Sequence, residues 1–363
     1  MILPKERKCL VQDAQGNPVV STRPLPRPQQ PFDVLVKVIS VGLNHTDYKA
    51  PRLKATPGAI LGCDFTGTVL AVHSEAPWAS AKSGCSRLRE GTYVSGLVHG
   101  SNPLIPEGGA FSEYVLADGR FLLELPSSWS KLEKGAFSGV AWTTVVMSMN
   151  CLKLTGRPSR PEPGQPLPVL VYGGATTTGT MACQLLSSSG YAPIVTAGIN
   201  SHDLVTSYGA VKSVPYTDPA SSEIIRREAS GPIRHAIDCI TTPESVKCCF
   251  ASLGRAGGRY VALEYCDPSW RTRQAVQVST PLTYEIFGRT VELEGIYRRE
   301  ADPAKSELIA SWREDMQSLL DQGKIKPHPP KKVPGGWQGI IKGLDMLRKG
   351  EVHGQKLVVY IDE

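Results

Sequence analysis

The chain has 363 residues, 41% hydrophobic and 20% charged, a length for two domains and a globular rather than disordered composition. Its 40 Lys and Arg against 34 Asp and Glu leave +6, too mild an excess to indicate a nucleic-acid partner. No run of about 18 apolar residues is present, so no membrane span is expected, and Met1–Lys8 lacks the apolar core of a signal peptide. The nine cysteines are scattered without a Cys-x-x-Cys pair. They predict free thiols in a reducing compartment, hence a cytoplasmic protein without disulfides.

In chain order, residues 32–39 alternate like a half-buried strand, and 63–72, 91–98 and 111–116 repeat the pattern. Short strands with turns between them predict an antiparallel, barrel-like first domain. Residues 73–90, rich in Ser, Ala and charge, read as a surface loop. A helix is expected over 133–150. The stretch 155–168 holds five prolines and reads as an ordered loop or linker, neither helix nor central strand.

After it the rhythm changes. Strands at 169–172, 193–197, 211–216, 234–240 and 258–263 alternate with helices at 178–189, 201–208, 219–229 and 243–253. This predicts an α/β parallel sheet with helices on both faces. Helices near 303–322 and 336–348 and a strand at 356–361 close the chain.

The chemical centre is Val169-Leu-Val-Tyr-Gly-Gly-Ala-Thr-Thr-Thr-Gly179, a strand that ends in glycines and leads into a helix. Glycine admits a pyrophosphate to the backbone, and a helix N-terminus offers free N–H groups and a positive dipole end. Gly174 and Gly179 fit G-x-G-x-x-G, while Thr176 takes the middle position. The hydroxyls of Thr176, Thr177 and Thr178 add donors beside Ala175, so dinucleotide binding is the expectation. The second strand ends in Gly198-Ile199-Asn200-Ser201, without the acid that holds an adenosine 2′-hydroxyl. NADPH is therefore favoured over NADH, with Ser201 as a donor to the 2′-phosphate. Asp203 is read as part of the following helix and His202 as a surface residue. Tyr216 either stacks near the adenine or closes the core.

These features, with Gly42-Leu-Asn-His-Thr-Asp-Tyr-Lys49, Leu61-Gly-Cys-Asp-Phe-Thr-Gly67, Gly109-Ala-Phe-Ser-Glu-Tyr114 and Gly254-Arg-Ala-Gly-Gly-Arg-Tyr260, resemble the medium-chain dehydrogenase/reductase superfamily over nearly the whole chain. Ala236-Ile-Asp-Cys-Ile-Thr-Thr242 and Arg348-Lys-Gly-Glu-Val-His-Gly-Gln-Lys-Leu-Val-Val359 are most similar to the trans-acting enoyl reductases that serve fungal polyketide synthases. The resemblance implies a GroES-like, partly open β-barrel domain (1–155 and 323–363) and a Rossmann domain with a doubly wound parallel sheet (156–322). It places Thr46, Asp47, Tyr48 and Lys49 at the nicotinamide ribose, with Leu263, Glu264, Glu351 and Val352 lining the cofactor. Thr143 and Trp142 of the bridging helix and the segment Pro281, Leu282, Thr283, Tyr284 and Glu285 would line the substrate, and Tyr284 would narrow that space. Lys49 and Thr143 are the candidate catalytic residues; a solvated lysine and a helix-face threonine are the plain alternatives.

Zinc alcohol dehydrogenases of the superfamily carry Gly-His-Glu-x-x-Gly. Here Gly62-Cys-Asp-Phe-Thr-Gly67 replaces it, and 73–90 holds only Cys85 where a structural zinc lobe needs four cysteines. No metal is expected, although His45, Cys63 and Asp64 offer N, S and O donors. Without a Lewis acid the resemblance implies conjugate reduction of an enoyl thioester by a monomer. Its partners would be a polyketide synthase, or a synthase–peptide synthetase hybrid, and its acyl carrier protein. A reductase of small free quinones or enones and a non-catalytic synthase partner are the alternatives. Residues 324–356 hold eight Lys and Arg against Asp345 and Glu351, which reads as a solvated face or, more sharply, as a docking face for an acidic carrier.

Overall fold

A computed structural model describes residues 3–76 and 88–363. Part of the loop expected at 73–90, with Cys85, lies outside the described residues. In chain order the elements begin with β1 (Glu6–Gln12), β2 (Pro18–Pro24), β3 (Asp33–Gly42), α1 (His45–Leu53), β4 (Asp64–Val72), β5 (Tyr93–Leu97), β6 (Tyr114–Asp118), β7 (Leu123–Glu124) and α2 (Lys131–Ala136). Next come α3 (Gly139–Leu152), β8 (Leu167–Tyr172), α4 (Thr177–Ser188), β9 (Tyr191–Ala197), α5 (His202–Ser207), β10 (Lys212–Pro215) and α6 (Ser221–Glu228). The chain continues through β11 (His235–Asp238), α7 (Pro243–Ser252), β12 (Gly258–Ala262), β13 (Val276–Ser279), α8 (Pro303–Asp321), β14 (Pro330–Lys332), α9 (Gly336–Arg348) and β15 (Lys356–Tyr360).

Two compact units result: residues 1–140 with 284–363, and residues 141–283. The first unit holds the β1–β2 hairpin and a mainly antiparallel sheet in the order β14-β15-β3-β4-β5-β7, with β6 also paired to β3. Alternate residues supply its core: Val34, Val36 and Val38 from β3, Val115 and Ala117 from β6, Leu357 and Val359 from β15. That is the period-2 pattern of a sheet face packed on a core, and Leu35 and Val358 on the opposite face are buried as well. Helix α9 adds Ile340, Leu344 and Leu347, spaced for one helix face.

The second unit is a six-stranded parallel sheet in the order β10-β9-β8-β11-β12-β13. Counted from β8 this is 3-2-1-4-5-6, the doubly wound Rossmann order, which reverses direction between β8 and β11. The central strands β8, β9 and β11 are buried along most of their length, as the middle of a parallel sheet requires, while the edge strands β10 and β13 are more open.

Four expectations are corrected. The helix expected at 133–150 is two helices, α2 and α3, because buried Asp64 takes the backbone N–H of Val140 and the hydroxyl of Ser138 at the break. The proline-rich stretch is not the domain boundary: Gly156 N–H bonds the Tyr191 hydroxyl and Glu162 N–H bonds the Ser189 carbonyl, which ties it into the second unit. Pro168 does lie in central strand β8, but at its start, where β9 is paired and the β11 register begins only at Val169. Finally, α8 belongs to the first unit rather than to 156–322. Its Gln317 exchanges hydrogen bonds with both backbone groups of Glu124, and Arg313 donates to the Leu122 carbonyl.

The basic tail is no uniform positive face. Lys356 pairs with Asp64, Lys332 with Glu363, and Arg348 and Lys349 with Asp345, all within the first unit. Among the described residues no helix is long and apolar enough to cross a membrane.

Candidate active site

In the second unit the glycine loop leaves β8 at the point where the sheet order reverses. Gly173, at φ 80°, turns the chain beside Cys239 and Ile240 at the end of β11. Gly179 lies in the first turn of α4, where a Cβ would stand 2.3 Å from the Gly173 carbonyl oxygen. Only glycine lets the helix approach the strand this closely.

Thr176 is the N-cap of α4. Its hydroxyl accepts from Gly179 N–H at 2.9 Å and donates to the Gly173 carbonyl at 2.9 Å. A hydroxyl has one proton, and here it points to the Gly173 carbonyl, so this group holds the loop shut. The half-buried Thr177 and Thr178 begin the helix, and their backbone N–H groups have no acceptor within it. Those two N–H groups, their two hydroxyls and the dipole of a 12-residue helix form a donor set that fits a pyrophosphate. Ala175 is half-buried beside them.

At the end of β9, Gly198 leads into the short turn Ile199–Ser201. Ile199 is 76% exposed and Tyr216 is 52% exposed. The open side of Gly198 faces Tyr216 and Ser201, while Asn200 stays exposed. No carboxylate stands on this turn; Asp203 is exposed on α5.

Leu263 and Glu264 follow β12, both half-buried, and their N–H groups bond the Asp238 carbonyl and the Thr241 hydroxyl. Asp238 organises this corner from a fully buried position. Its carboxylate accepts from Ile240 N–H, Thr241 N–H, Ser245 Oγ and Tyr260 OH. Desolvation raises its pKa despite those four donors. Thr241 is held at φ 58°, a conformation rare outside glycine.

On α3, Trp142 and Thr143 are fully buried. The half-buried Thr144, which the sequence did not single out, shares a 2.6 Å hydrogen bond with Thr283 and ties the 281–283 segment to the helix. Pro281 is buried and Leu282 half-buried.

In the first unit, α1 carries Thr46, Asp47, Tyr48 and Lys49. Asn44 and Asp47 close a capping box, with Asn44 N–H donating to Asp47 Oδ2 at 2.8 Å. Thr46 and Lys49, three residues apart on one helix face, are half-buried. Asp47 is 2% exposed and its Oδ1 has no hydrogen-bond partner. Burial pushes this carboxyl up to about 7, against the opposing pull of Asn44 N–H and Lys356.

The folded value lies above the ordinary carboxylate value of 3.8, so this group's stabilisation is complete below about pH 4 and is lost as pH rises towards 7. Asp47→Asn is expected to lose less stability between pH 5 and pH 8 than the wild type does in urea denaturation. Equal losses in the two proteins would refute the assignment.

Behind α1 lies a buried ion pair. Asp64 Oδ2 accepts from Lys356 Nζ at 3.0 Å, from Asn44 Nδ2 at 3.0 Å and from Ser138 Oγ, while Oδ1 accepts from Val140 N–H at 2.9 Å. Lys356 Nζ also donates to Asn44 Oδ1 at 2.6 Å. One carboxylate thus tethers the cap of α1, the start of α3 and the final strand.

The three potential metal donors do not converge. Asp64 is engaged as described, Cys63 Sγ lies 3.4 Å from the Tyr284 hydroxyl, and His45 is exposed with its ring nitrogen 3.1 Å from Tyr48 OH. Among the described residues no group of three or more His, Cys, Asp or Glu could hold a metal ion.

Tyr284 is 2% exposed, with its hydroxyl 2.9 Å from Thr46 Oγ1 and its ring on His99, so its side chain is turned into the core. Stacking on His99 fixes its direction. Glu285 faces Arg299 and Lys305 at 3.8 and 3.6 Å. Glu351 is exposed, and Val352 packs on the core of the first unit.

Comparison with known proteins agrees with this architecture. Residues 30–127 match the alcohol dehydrogenase GroES-like domain. Among solved structures, a putative zinc-dependent alcohol dehydrogenase from Rhizobium etli has a TM-score of 0.75 at 20% identity, covering 98% of each chain. The CurK enoyl reductase has a TM-score of 0.69 at 18% identity, covering 98% of this chain and 99% of its own. The chain is 39% identical to the trans-enoyl reductase calK of Penicillium decumbens over 94% of its length and 92% of that protein. It is 40% identical to the trans-enoyl reductase sthE of Phaeosphaeria nodorum over 96% of its length and 94% of that protein. Such identity across both units reaches well beyond a shared fold: the chain belongs to the trans-enoyl reductases, nicotinamide-dependent oxidoreductases of the medium-chain dehydrogenase/reductase superfamily.

Proposed function

We propose that this protein reduces the α,β-double bond of a polyketide enoyl thioester with NADPH, while the substrate is held on the acyl carrier protein of a separate polyketide synthase. The observation that carries the reading is the full-length likeness to trans-enoyl reductases. The glycine cradle and the acid-free turn after β9 support the cofactor. The protein would act as a monomer, without a metal, in fungal secondary metabolism.

When bound, the nicotinamide supplies a hydride to the β-carbon of the enoyl group. The chain's own residues bind and orient. Thr177 and Thr178 hold the pyrophosphate through backbone N–H and hydroxyl groups, and Thr176 keeps the loop in the required shape. At the adenosine end Ser201 donates to the 2′-phosphate, Tyr216 offers a ring face, and no carboxylate repels the charge. Thr46 and Lys49 on α1 hold the ribose hydroxyls, and the Lys49 ammonium stabilises negative charge developing on the thioester oxygen. A proton is then delivered to the α-carbon.

The test is cofactor oxidation with a carrier-bound or pantetheine enoyl thioester and with a free quinone. At least tenfold higher kcat/KM with NADPH than with NADH is expected, with no turnover of the quinone. Faster reduction of the free quinone would favour the small-molecule reductase, and absence of turnover on every substrate the non-catalytic partner.

A further inference from the structure

We infer that Tyr284 is a positioning residue whose phenol, fixed in a buried aromatic stack, sets the Thr46 hydroxyl that engages the nicotinamide ribose. This rests on the proposed function for the role of Thr46, and on the geometry of the first unit for everything else.

The ring of Tyr284 stacks on His99 at 3.8 Å between centroids and 14° between planes. His99 in turn lies parallel to Phe287, which meets Phe121 edge-on at 5.7 Å. Such a stack leaves a two-torsion side chain little freedom. Burial pushes the His99 imidazole down to about 3, so the stack stays uncharged at neutral pH.

The fixed phenol has two partners, Thr46 Oγ1 at 2.9 Å and Cys63 Sγ at 3.4 Å. Thr46 is half-buried on the helix face it shares with Lys49, so Tyr284 reaches it from the inside. Threonine in a helix divides between two χ1 rotamers, and a short bond from a rigid phenol selects one of them. A preselected rotamer reduces the ordering needed when the ribose binds. Tyr284 therefore acts through Thr46 and does not itself touch the substrate.

NADPH titration by tryptophan-fluorescence quenching tests this without turnover. Tyr284→Phe keeps the ring on His99 and removes only the hydroxyl. Its Kd for NADPH is expected to rise about five- to tenfold, the scale of one lost hydrogen bond. Thr46→Val should rise equally, and the double variant should be no weaker than Thr46→Val alone, because both remove one interaction. Cys63→Ala, which leaves the Thr46 bond in place, should stay within about twofold of the wild type. Additive losses, an unchanged Kd in Tyr284→Phe, or an equal loss in Cys63→Ala would overturn the inference. Failure of the wild-type protein to bind NADPH would overturn the proposed function and the inference together. Wild-type binding with an unaffected Tyr284→Phe sinks the inference alone.

Discussion

Replacing Lys356 with methionine is expected to lower the stability of the first unit by about 3–5 kcal/mol, read as a shift in its urea denaturation midpoint. Lys356 and Asp64 are each 2% exposed, so the substitution strands a carboxylate where water cannot reach it. The remaining donors on Asp64 come from Asn44, Ser138 and Val140, and none of them carries a formal charge. The double variant Lys356→Met with Asp64→Asn should recover much of the loss, because it removes the charge together with its partner. A double variant no more stable than Lys356→Met would show that packing of the lysine stem, rather than the ion pair, holds this region. Since Asn44 caps α1 through the same network, the single variant should also loosen the helix that carries Thr46 and Lys49.

Gly179→Ala is expected to raise the Kd for the nicotinamide cofactor at least tenfold. The added Cβ would stand 2.3 Å from the Gly173 carbonyl oxygen and 2.8 Å from the Gly174 Cα, and both are backbone atoms. No rotamer change relieves such an overlap, so α4 must move away from the glycine loop. That breaks the Thr176 cap and displaces the free N–H groups meant for the pyrophosphate. Overpacking of this kind also costs about 1–3 kcal/mol of stability. Unchanged affinity, measured by isothermal titration, would show that the pyrophosphate is not held at this helix.

Much of the second unit was legible in the sequence, because a parallel sheet writes each strand as a short apolar run and each helix between glycines and caps. The acid-free exit of β9 could be read directly, since the turn is local. The first unit was harder. Helix α1 has few apolar residues and Pro51 in its last turn, so no periodicity announces it; the Asn44–Asp47 capping box was the available signal. The hairpin strands β1 and β2 also went unassigned. β2 pairs only with β1 and exposes Val19 and Val20, so it has no clean alternation. The break between α2 and α3 was invisible, because the group that captures Val140 N–H lies in β4. The proline-rich stretch misled for a related reason. Proline forbids regular hydrogen bonding, but it does not stop Gly156 and Glu162 from anchoring a loop to its own unit. The direction of Tyr284 was likewise set by His99, far away in sequence.

The first unit is assembled from both ends of the chain, whereas the second is one continuous segment. During synthesis residues 141–283 are complete while residues 284–363 have yet to be made. The second unit therefore folds with its contacts at hand, and the sheet of the first waits for β15 to lie against β3. Until Lys356 arrives, Asp64 meets no cation in its network and remains hydrated, and the edge of β3 that β15 will cover stays open to other strands. Chains truncated shortly before Lys356 thus carry a finished Rossmann sheet and a first-unit sheet whose β3 edge lacks its β15 partner, an edge open to other strands.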